Sequence, residues 1–451
     1  MILRSLMERA RWLAALVSLA LAASLTLVPV ALVAADEPSD MVLVWNTNAV
    51  NVIGQPAATP ALGQGPPLAA LHVAMVQGAI YDAVNAIDGG HQPYLPGLSA
   101  PSTASQAAAV AQAGHDVLYG IVPAADTPAN NAVRARVDAM LAASLALIDP
   151  SQSKTDGITI GAAAAAAMLA ARAGDGRFDA EPFTPSEDLG KWRLGPPLNA
   201  NVQGQFATVT PLTLKGPDQF PTEGPPAITS EQYAAEFNEV KALGAQVGSS
   251  RTPEQTLMAG FYTANPLFFY NAGLRTIATE QGLSTSDQAR LFAKTSFAGA
   301  DALISCWNNK KIWSAWRPAT AIHEAANDGN PLTEPDPNWT SLFAVPGYPD
   351  EPSGYNCYTG GFWQSARFFF GTDKYAFSLT SPGVPANPAA GNPIGVPTST
   401  RDYARFTDVI DDTINGRILN GFHFRTADVH GAWIGKKVAQ WINKHYFEPV
   451  D

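Results

Sequence analysis

Apolar residues recur at three- and four-residue spacing along most of this 451-residue chain, and this period constrains the fold more than any other feature. In the first such segment, residues 71–87, they form one helical face, and Pro66 and Pro67 stand just ahead of it. A capping box of Thr229 and Gln232 is expected at the start of another segment. Strand signals are weak, so we predict an all-α fold of helical bundles with long ordered loops and the site between helices. The predicted helices are 71–87, 106–121, 133–147, 157–173, 230–248, 252–264, 285–305 and 426–445.

Segments without a sustained period separate these helices and are rich in Pro, Gly and Thr. They carry aromatic side chains that can pack, such as Trp192 and Trp339, so we predict ordered loops rather than flexible linkers. The small residues of segment 157–173 would let that helix pack very closely against a neighbour. The predicted loops are residues 174–228, 324–352 and 380–400.

The first 35 residues have the composition of a secretory signal peptide. Arg4, Arg9 and Arg11 precede an uncharged apolar run over residues 12–35, which ends in small residues. We expect cleavage and export, to the periplasm or out of the cell. An uncleaved membrane anchor is the alternative, because the run is long, and no later stretch is long and apolar enough to span a membrane. The rest divides into an N-terminal helical region, 36–230, and a C-terminal one, 231–451, which carries the site; we expect one compact unit.

Composition and charge exclude some classes of partner. The formal net charge is −11 and no basic stripe occurs, which argues against a nucleic-acid partner. A hydrophobic fraction of 46% with 15% charged residues is typical of a globular protein with long buried elements. The two cysteines, Cys306 and Cys357, suggest a disulfide in an exported chain, with two buried free thiols as the alternative.

Lys310 and Arg317 are the first candidate binding residues. They lie seven residues apart, so a continuous helix would direct both side chains to one face, and Pro318 would end or bend that helix. Trp307 and Trp313 indicate that the segment is mostly buried, and a buried cation needs a partner. A solvated pair on an exposed helix face is the alternative.

Two later groups suit the same ligand, a tetrahedral oxyanion. Ser353 and Gly354 stand at an expected loop-to-helix junction, where a hydroxyl and a backbone N–H favour an anion. Arg417 precedes His423 by six residues, and a bend near Gly421 would turn both side chains inward. An ordinary helix cap and a core histidine are the alternatives. Together with Lys310 and Arg317, these groups predict a site for phosphate or vanadate.

In order and spacing these residues resemble the vanadium-dependent haloperoxidases, which share their fold and site with the type 2 phosphatidic acid phosphatases. The family pattern is Lys-x6-Arg-Pro, then Pro-Ser-Gly-His, then Arg-x5-His with a nearby Asp. Residues 81–87, 251–256 and 421–425 resemble the secreted bacterial branch, and the resemblance covers nearly all of the mature chain. The matching residues are Lys310, Arg317, Pro318, Pro352, Ser353, Gly354, Arg417, His423 and Asp428.

The resemblance implies a role for each of these residues. His423 would be the axial group bonded to vanadium, or the nucleophile in a phosphatase. Lys310 would polarise peroxide, which halide then attacks to give hypohalous acid. Asp428 would hydrogen-bond the His423 ring and fix its tautomer. The implied vanadate-binding residues are Lys310, Arg317, Ser353, Gly354, Arg417 and His423.

Tyr355 stands where the family has an acid–base histidine. A phenol with a reference pKa near ~10 donates a hydrogen bond at neutral pH but is a poor base. Anion binding should survive, while catalysis should fall about a hundredfold or more. The candidates to replace it are Tyr358, His323 and His430.

Three interpretations of function follow. The first is a vanadium-dependent haloperoxidase that oxidises halide with hydrogen peroxide. The second is a soluble phosphatase of the same superfamily, with phosphate in the site and His423 as nucleophile. The third is a catalytically weakened anion-binding relic, because of Tyr355. All three imply small-molecule partners and no membrane span after signal cleavage. Each is compatible with a homo-oligomer.

Overall fold

The computed structural model describes residues 38, 40–54, 62, 65–194, 203–387 and 394–450. Residues Pro38–Asp451 cluster as one compact unit. In the described part of the chain the helices are joined by long loops and accompanied by one two-stranded sheet, which confirms the all-α prediction. The predicted signal peptide lies outside the described residues, so cleavage and export stay predictions, as does the division at residue 230.

Thirteen α-helices occupy the described residues, and the predicted helices all appear among them. They are α1 (Met41–Ile53), α2 (Pro66–Asp88), α3 (Gln106–Gly120), α4 (Pro128–Leu145), α5 (Gln152–Ala171), α6 (Glu231–Gly244), α7 (Pro253–Phe261), α8 (Pro266–Glu280), α9 (Thr285–Trp313), α10 (Pro318–Glu324), α11 (Gly354–Phe370), α12 (Phe406–Leu419) and α13 (Arg425–His445).

The predicted capping box at the start of α6 is wrong. Ser230 is the N-cap there, and its hydroxyl accepts from the backbone N–H of Tyr233 at 3.1 Å. A capping box occurs instead one helix later, where Thr252 and Gln255 bond reciprocally at the start of α7. The caps differ because the chain enters α6 one residue later than Thr229 would require.

A β-hairpin follows α11 and was not predicted. Strand β1 (Lys374–Ser381) pairs antiparallel with β2 (Ser399–Arg405), with Thr380 opposite Thr400. Alternate residues at the end of β1 are buried, the period-two pattern of a half-buried strand. At eight residues the signal is too short to stand out beside the long helical periods.

Helix α2 lies in the main hydrophobic core. By length and composition alone it could cross a membrane, which corrects the expectation that no stretch after the N-terminus passes this test. Its whole apolar window is buried among the other helices, as in the core helix of a globular protein.

Close helix crossings position the candidate site. Gly157 and Gly161 on α5 would each place a Cβ within 2.5 Å of a backbone oxygen of the segment that forms α3, which confirms the close packing predicted for that helix. Gly360 on α11 and Gly435 on α13 make an equally tight crossing. Because α9 packs against α11 as well, the C-terminal end of α9 and the N-terminus of α11 come together.

Candidate functional site

Lys310 and Arg317 do not share a helix, so that part of the prediction is wrong. Helix α9 ends at Trp313, Ser314 is left-handed with φ 44°, and Arg317 is the extended N-cap of α10. The residue before a proline is disfavoured in helical conformation, and Pro318 follows Arg317. Both cations nevertheless reach one loop.

The backbone of residues 348–350 holds these two cations. Lys310 Nζ donates to the carbonyl oxygens of Pro349 at 2.6 Å and Asp350 at 2.9 Å. Arg317 Nε donates to the Tyr348 carbonyl oxygen at 2.9 Å. The Tyr348 ring centroid lies 5.1 Å from the ammonium and 5.0 Å from the guanidinium, so its face adds a cation–π contact to each.

His423 is held by Asp350, not by Asp428. The imidazole Nδ1 lies 2.6 Å from the Asp350 carboxylate, and Gly421, with φ 77°, turns the chain into the site as expected. Asp428 faces α11 instead, where Asn356 donates to it at 2.7 Å. The prediction of an Asp428–His423 hydrogen bond is therefore wrong. Asp350 is placed because its own N–H donates to the Ala315 carbonyl oxygen, beside the break between α9 and α10.

Arg317 contacts the same imidazole. Its Nη1 lies 3.1 Å from His423 Nε2 and 3.5 Å from the Asp350 carboxylate. Nη1 is also 3.2 Å from Nδ1, so the guanidinium lies close to both ring nitrogens. With the Asp350 carboxylate accepting from Nδ1–H, the lone pair of the imidazole lies on Nε2.

The N-terminus of α11 supplies neutral donors. Ser353 is its N-cap, but the hydroxyl makes no capping bond and accepts from Asn356 at 3.3 Å. A Cβ on Gly354 would lie 2.8 Å from the Trp307 ring, so only glycine fits against α9 here. Both residues are buried, which leaves a hydroxyl and a helix N-terminus inside the protein.

Arg417 and Tyr355 pack together on the other wall. The guanidinium lies 4.7 Å from the Tyr355 ring centroid and donates to the Tyr262 carbonyl oxygen at 2.9 Å. The Tyr355 hydroxyl donates to the Ala264 carbonyl oxygen at 3.0 Å. Burial raises the pKa of this phenol well above its ordinary value, so it is a hydrogen-bond donor at neutral pH.

The three candidates to replace the acid–base histidine fall in different places. Tyr358 lines the same cavity as Tyr355. His323 bonds to the Trp339 carbonyl oxygen at 2.6 Å, and His430 pairs with a glutamate at 2.5 Å. Among the described residues, only Tyr358 of the three shares the cavity with Tyr355.

Burial sets the protonation of the central groups. Desolvation, and then the charges of Arg317 and Lys310, lower the pKa of His423 well below its ordinary value. Burial also lowers the pKa of Lys310 to about 8 and raises the pKa of Asp350 to about 7. The pKa of Asp428 rises well above its ordinary range, chiefly through burial. At neutral pH the His423 imidazole is therefore neutral.

Positive charge exceeds negative charge in this buried region. Lys310, Arg317 and Arg417 are at most 5% exposed, and within the described residues only Arg317 has a carboxylate within 4.0 Å, that of Asp350. Arg317 Nη2 and Arg417 Nε have no hydrogen-bond partner. Buried cations with unsatisfied N–H groups are costly, so this arrangement fits an anionic ligand such as vanadate or phosphate.

A cavity adjoins these groups. Its walls are mainly apolar and aromatic, and site residues form one side of it. The site residues among its walls are Gly354, Tyr355 and Arg417, with Trp307, Tyr348 and Tyr358 beside them.

Sequence reasoning missed Asp350, Asn356 and Tyr348. Asp350 lies three residues ahead of Ser353 in a loop that brings both toward His423, so its position near the motif was the available signal. The suggested disulfide is also wrong, since both cysteines are buried free thiols. The Cys306 thiol instead contacts the Pro352 carbonyl oxygen at 3.5 Å.

Comparison with known proteins adds an independent line of support. Residues 290–451 match the family model described as the VCPO second helical-bundle domain. Vanadium chloroperoxidase of Curvularia inaequalis is 28% identical over 180 residues, which cover 32% of this chain and 29% of that protein. The chain therefore matches less than a third of that relative's length.

Solved structures show the same fold over most of the chain. The crystal structure of the first bacterial vanadium-dependent iodoperoxidase superposes with a TM-score of 0.70 at 20% identity, covering 91% of this chain and 97% of that one. A holo-type bacterial vanadium-dependent chloroperoxidase gives a TM-score of 0.68 at 18% identity, covering 91% and 98%. Residues 290–451 thus match the model of a VCPO second helical-bundle domain, and the chain shares the fold of these solved bacterial vanadium-dependent peroxidases.

Proposed function

We propose that this protein is a vanadium-dependent haloperoxidase, which oxidises halide with hydrogen peroxide at a protein-bound vanadate. The observation that carries the proposal is the buried excess of positive charge, in which Arg317 and Arg417 keep N–H groups without partners. An oxyanion would satisfy these groups. Bound vanadate would supply a Lewis-acid centre at which peroxide is activated toward halide.

Each residue of the site has a task in this proposal. Lys310, Arg317 and Arg417 neutralise the oxyanion, and Ser353 and the Gly354 N–H add neutral hydrogen bonds. These donors sit on the ends of helices and on a loop that packing holds in place, so they are organised before the ligand arrives.

His423 would bind the vanadium. Its low pKa keeps the ring neutral, and Asp350 fixes the tautomer that leaves the lone pair on Nε2. In this structure Arg317 contacts that nitrogen at 3.1 Å, so the guanidinium must exchange this contact for the anion when vanadate binds.

Tyr355 would position rather than exchange protons, because its hydroxyl is committed to the Ala264 carbonyl oxygen. We expect Tyr355→His to raise halide oxidation about a hundredfold at neutral pH, since an imidazole can accept a proton there and the phenol cannot. The rate constant kcat for bromide oxidation measures this, with Tyr358→His as the control. An unchanged kcat would mean that another group already exchanges the proton.

The comparisons name haloperoxidases, and the phosphatase alternative is not favoured. We further propose that the mature protein is exported and acts on small molecules, hydrogen peroxide and halide. The composition of residues 1–35 supports export.

The decisive experiment is halide oxidation by the chain without residues 1–35, titrated with orthovanadate in the presence of hydrogen peroxide. We expect oxidation of bromide or iodide that requires vanadate and disappears in His423→Ala. His323→Ala is the matched control, because His323 bonds elsewhere and should leave activity intact. Hydrolysis of p-nitrophenyl phosphate without vanadate, inhibited by adding it, would instead establish a phosphatase.

A further inference from the structure

A second cavity is lined on one side by Asp350 and Glu351. None of its lining residues lines the cavity beside Tyr355 and Arg417. It is therefore a separate space, although Asp350, which positions His423, forms part of its wall.

Three aromatic rings line this second cavity: Tyr233, Trp316 and Phe424. Each residue is at most 6% exposed, and the centroids of the Tyr233 and Phe424 rings are 5.5 Å apart. The face of an aromatic ring carries negative potential and attracts a cation, most strongly when the site is desolvated.

Glu351 adds a charged acceptor to the same wall. Its Oε1 accepts from His430 at 2.5 Å and from Thr222 at 3.3 Å, whereas Oε2 is buried and has no hydrogen-bond partner. A buried carboxylate oxygen without a donor destabilises the fold, because it has lost its hydrogen bonds to water and has no hydrogen bond from the protein to replace them. Glu351 itself is fully buried and is one of the residues that line the second cavity.

A larger cavity lies beside the second one. The two share Pro225, Pro226, Glu236 and Thr426 among their walls, so they adjoin. The lining of the larger cavity is acidic. Glu223 and Glu236 line it, while the nearby Arg425 is already paired with Glu239 at 2.6 Å.

We propose that this second cavity binds a protonated alkylamine. The ammonium N–H groups donate to Glu351 Oε2, and the positive charge faces the rings of Tyr233, Trp316 and Phe424. A metal ion fits less well, because the described residues contain no group of three or more His, Cys, Asp or Glu side chains arranged to hold one. The proposal does not depend on halide oxidation, since none of the proposed vanadate-binding residues lines this cavity.

Calorimetric titration of the chain without residues 1–35 tests the proposal with two molecules of similar size, n-butylamine at pH 7 and butan-1-ol. We expect the protonated amine to bind and the alcohol to bind at least about tenfold more weakly, because the alcohol has no positive charge. A tenfold difference in Kd corresponds to ~1.4 kcal/mol of binding free energy. Tetramethylammonium has the charge but no N–H, and should bind more weakly than butylammonium.

Variants locate the binding. Glu351→Gln should weaken n-butylamine binding at least about tenfold, and Trp316→Leu should weaken it as well. Glu239→Gln is the matched control, because that carboxylate pairs with Arg425 and does not line the second cavity, so affinity should be unchanged.

Three outcomes would overturn the proposal. They are no amine binding by the native protein, equal binding of amine and alcohol, and full affinity in a folded Glu351→Gln variant. The first two need only native protein, so they decide the matter even if a variant unfolds.

Discussion

Asp350 and Asp428 are both buried near His423, but only Asp350 contacts the imidazole. We predict that Asp350→Asn lowers orthovanadate affinity about 10–100-fold. The amide would no longer fix the tautomer of the His423 ring, and the carboxylate charge beside Arg317 would be lost. Asp428→Asn should change the affinity little, since Asp428 does not contact the imidazole, burial disfavours its charged form, and an amide has nearly the shape of a carboxyl. Calorimetric titration with orthovanadate measures both.

Thermal unfolding of the two variants is the control for folding. If Asp428→Asn weakened vanadate binding as much as Asp350→Asn, Asp350 would not be the residue that positions the histidine.

Helices α11 and α13 cross where glycines leave no room for a side chain. A Cβ on Gly435 would lie 2.4 Å from both the Cys357 carbonyl oxygen and the Gly361 nitrogen. These are backbone atoms and cannot rotate away, so we predict that Gly435→Ala lowers the free energy of unfolding by about 1–3 kcal/mol. Urea unfolding followed by circular dichroism measures this loss.

Gly174→Ala is the matched control for the crossing. No atom lies within 4 Å of a Cβ built there, and the residue does not need a positive φ. Its stability should equal or slightly exceed that of the native protein, by up to about 1 kcal/mol, because the unfolded chain loses freedom. Equal losses in both variants would contradict the steric explanation.

The stability of the whole molecule should depend on His115, which links α3 to α4. Burial lowers the pKa of His115, but the hydrogen bonds that its ring donates to Asp116 at 2.6 Å and Asp138 at 2.9 Å outweigh burial and raise the pKa above its ordinary value. A raised folded-state pKa means that the contribution is fully present below about pH 6.5 and is lost as pH rises through the folded value.

We therefore predict that His115→Gln lowers Tm most near pH 6, and that the difference from the native protein shrinks toward pH 9. Differential scanning calorimetry at several pH values checks the trend. A Tm difference that stayed constant or grew with pH would show that the imidazolium does not stabilise the fold.

The helices were predictable because each carries its own signal along the chain. The apolar period of residues 71–87 gave α2 within five residues at its start and one at its end. The end of α9 was not predictable from period alone, because Ser314 leaves the helix three residues before Arg317. The apolar period of a segment therefore predicts that a helix forms there, but it does not predict the residue at which the helix ends.

The site was predictable only in part. The order of Lys310, Arg317, Ser353 and Arg417 indicated an oxyanion, and the structure buries all four. The partner of His423 was not predictable, because Asp350 and Asp428 lie at different sequence distances and no local rule ranks a loop carboxylate against a helical one.

The sequence by itself determined the helical class, the match of residues 290–451 to a known helical-bundle domain and the chemical types gathered for an anion. These depend on residue identity and short spacing, which the chain carries without folding. Only the tertiary structure decided that Asp350 holds His423, that the cysteines stay free and that Glu351 faces a second cavity. Those contacts depend on which distant segments pack against each other, and the close packing of the whole core determines that arrangement.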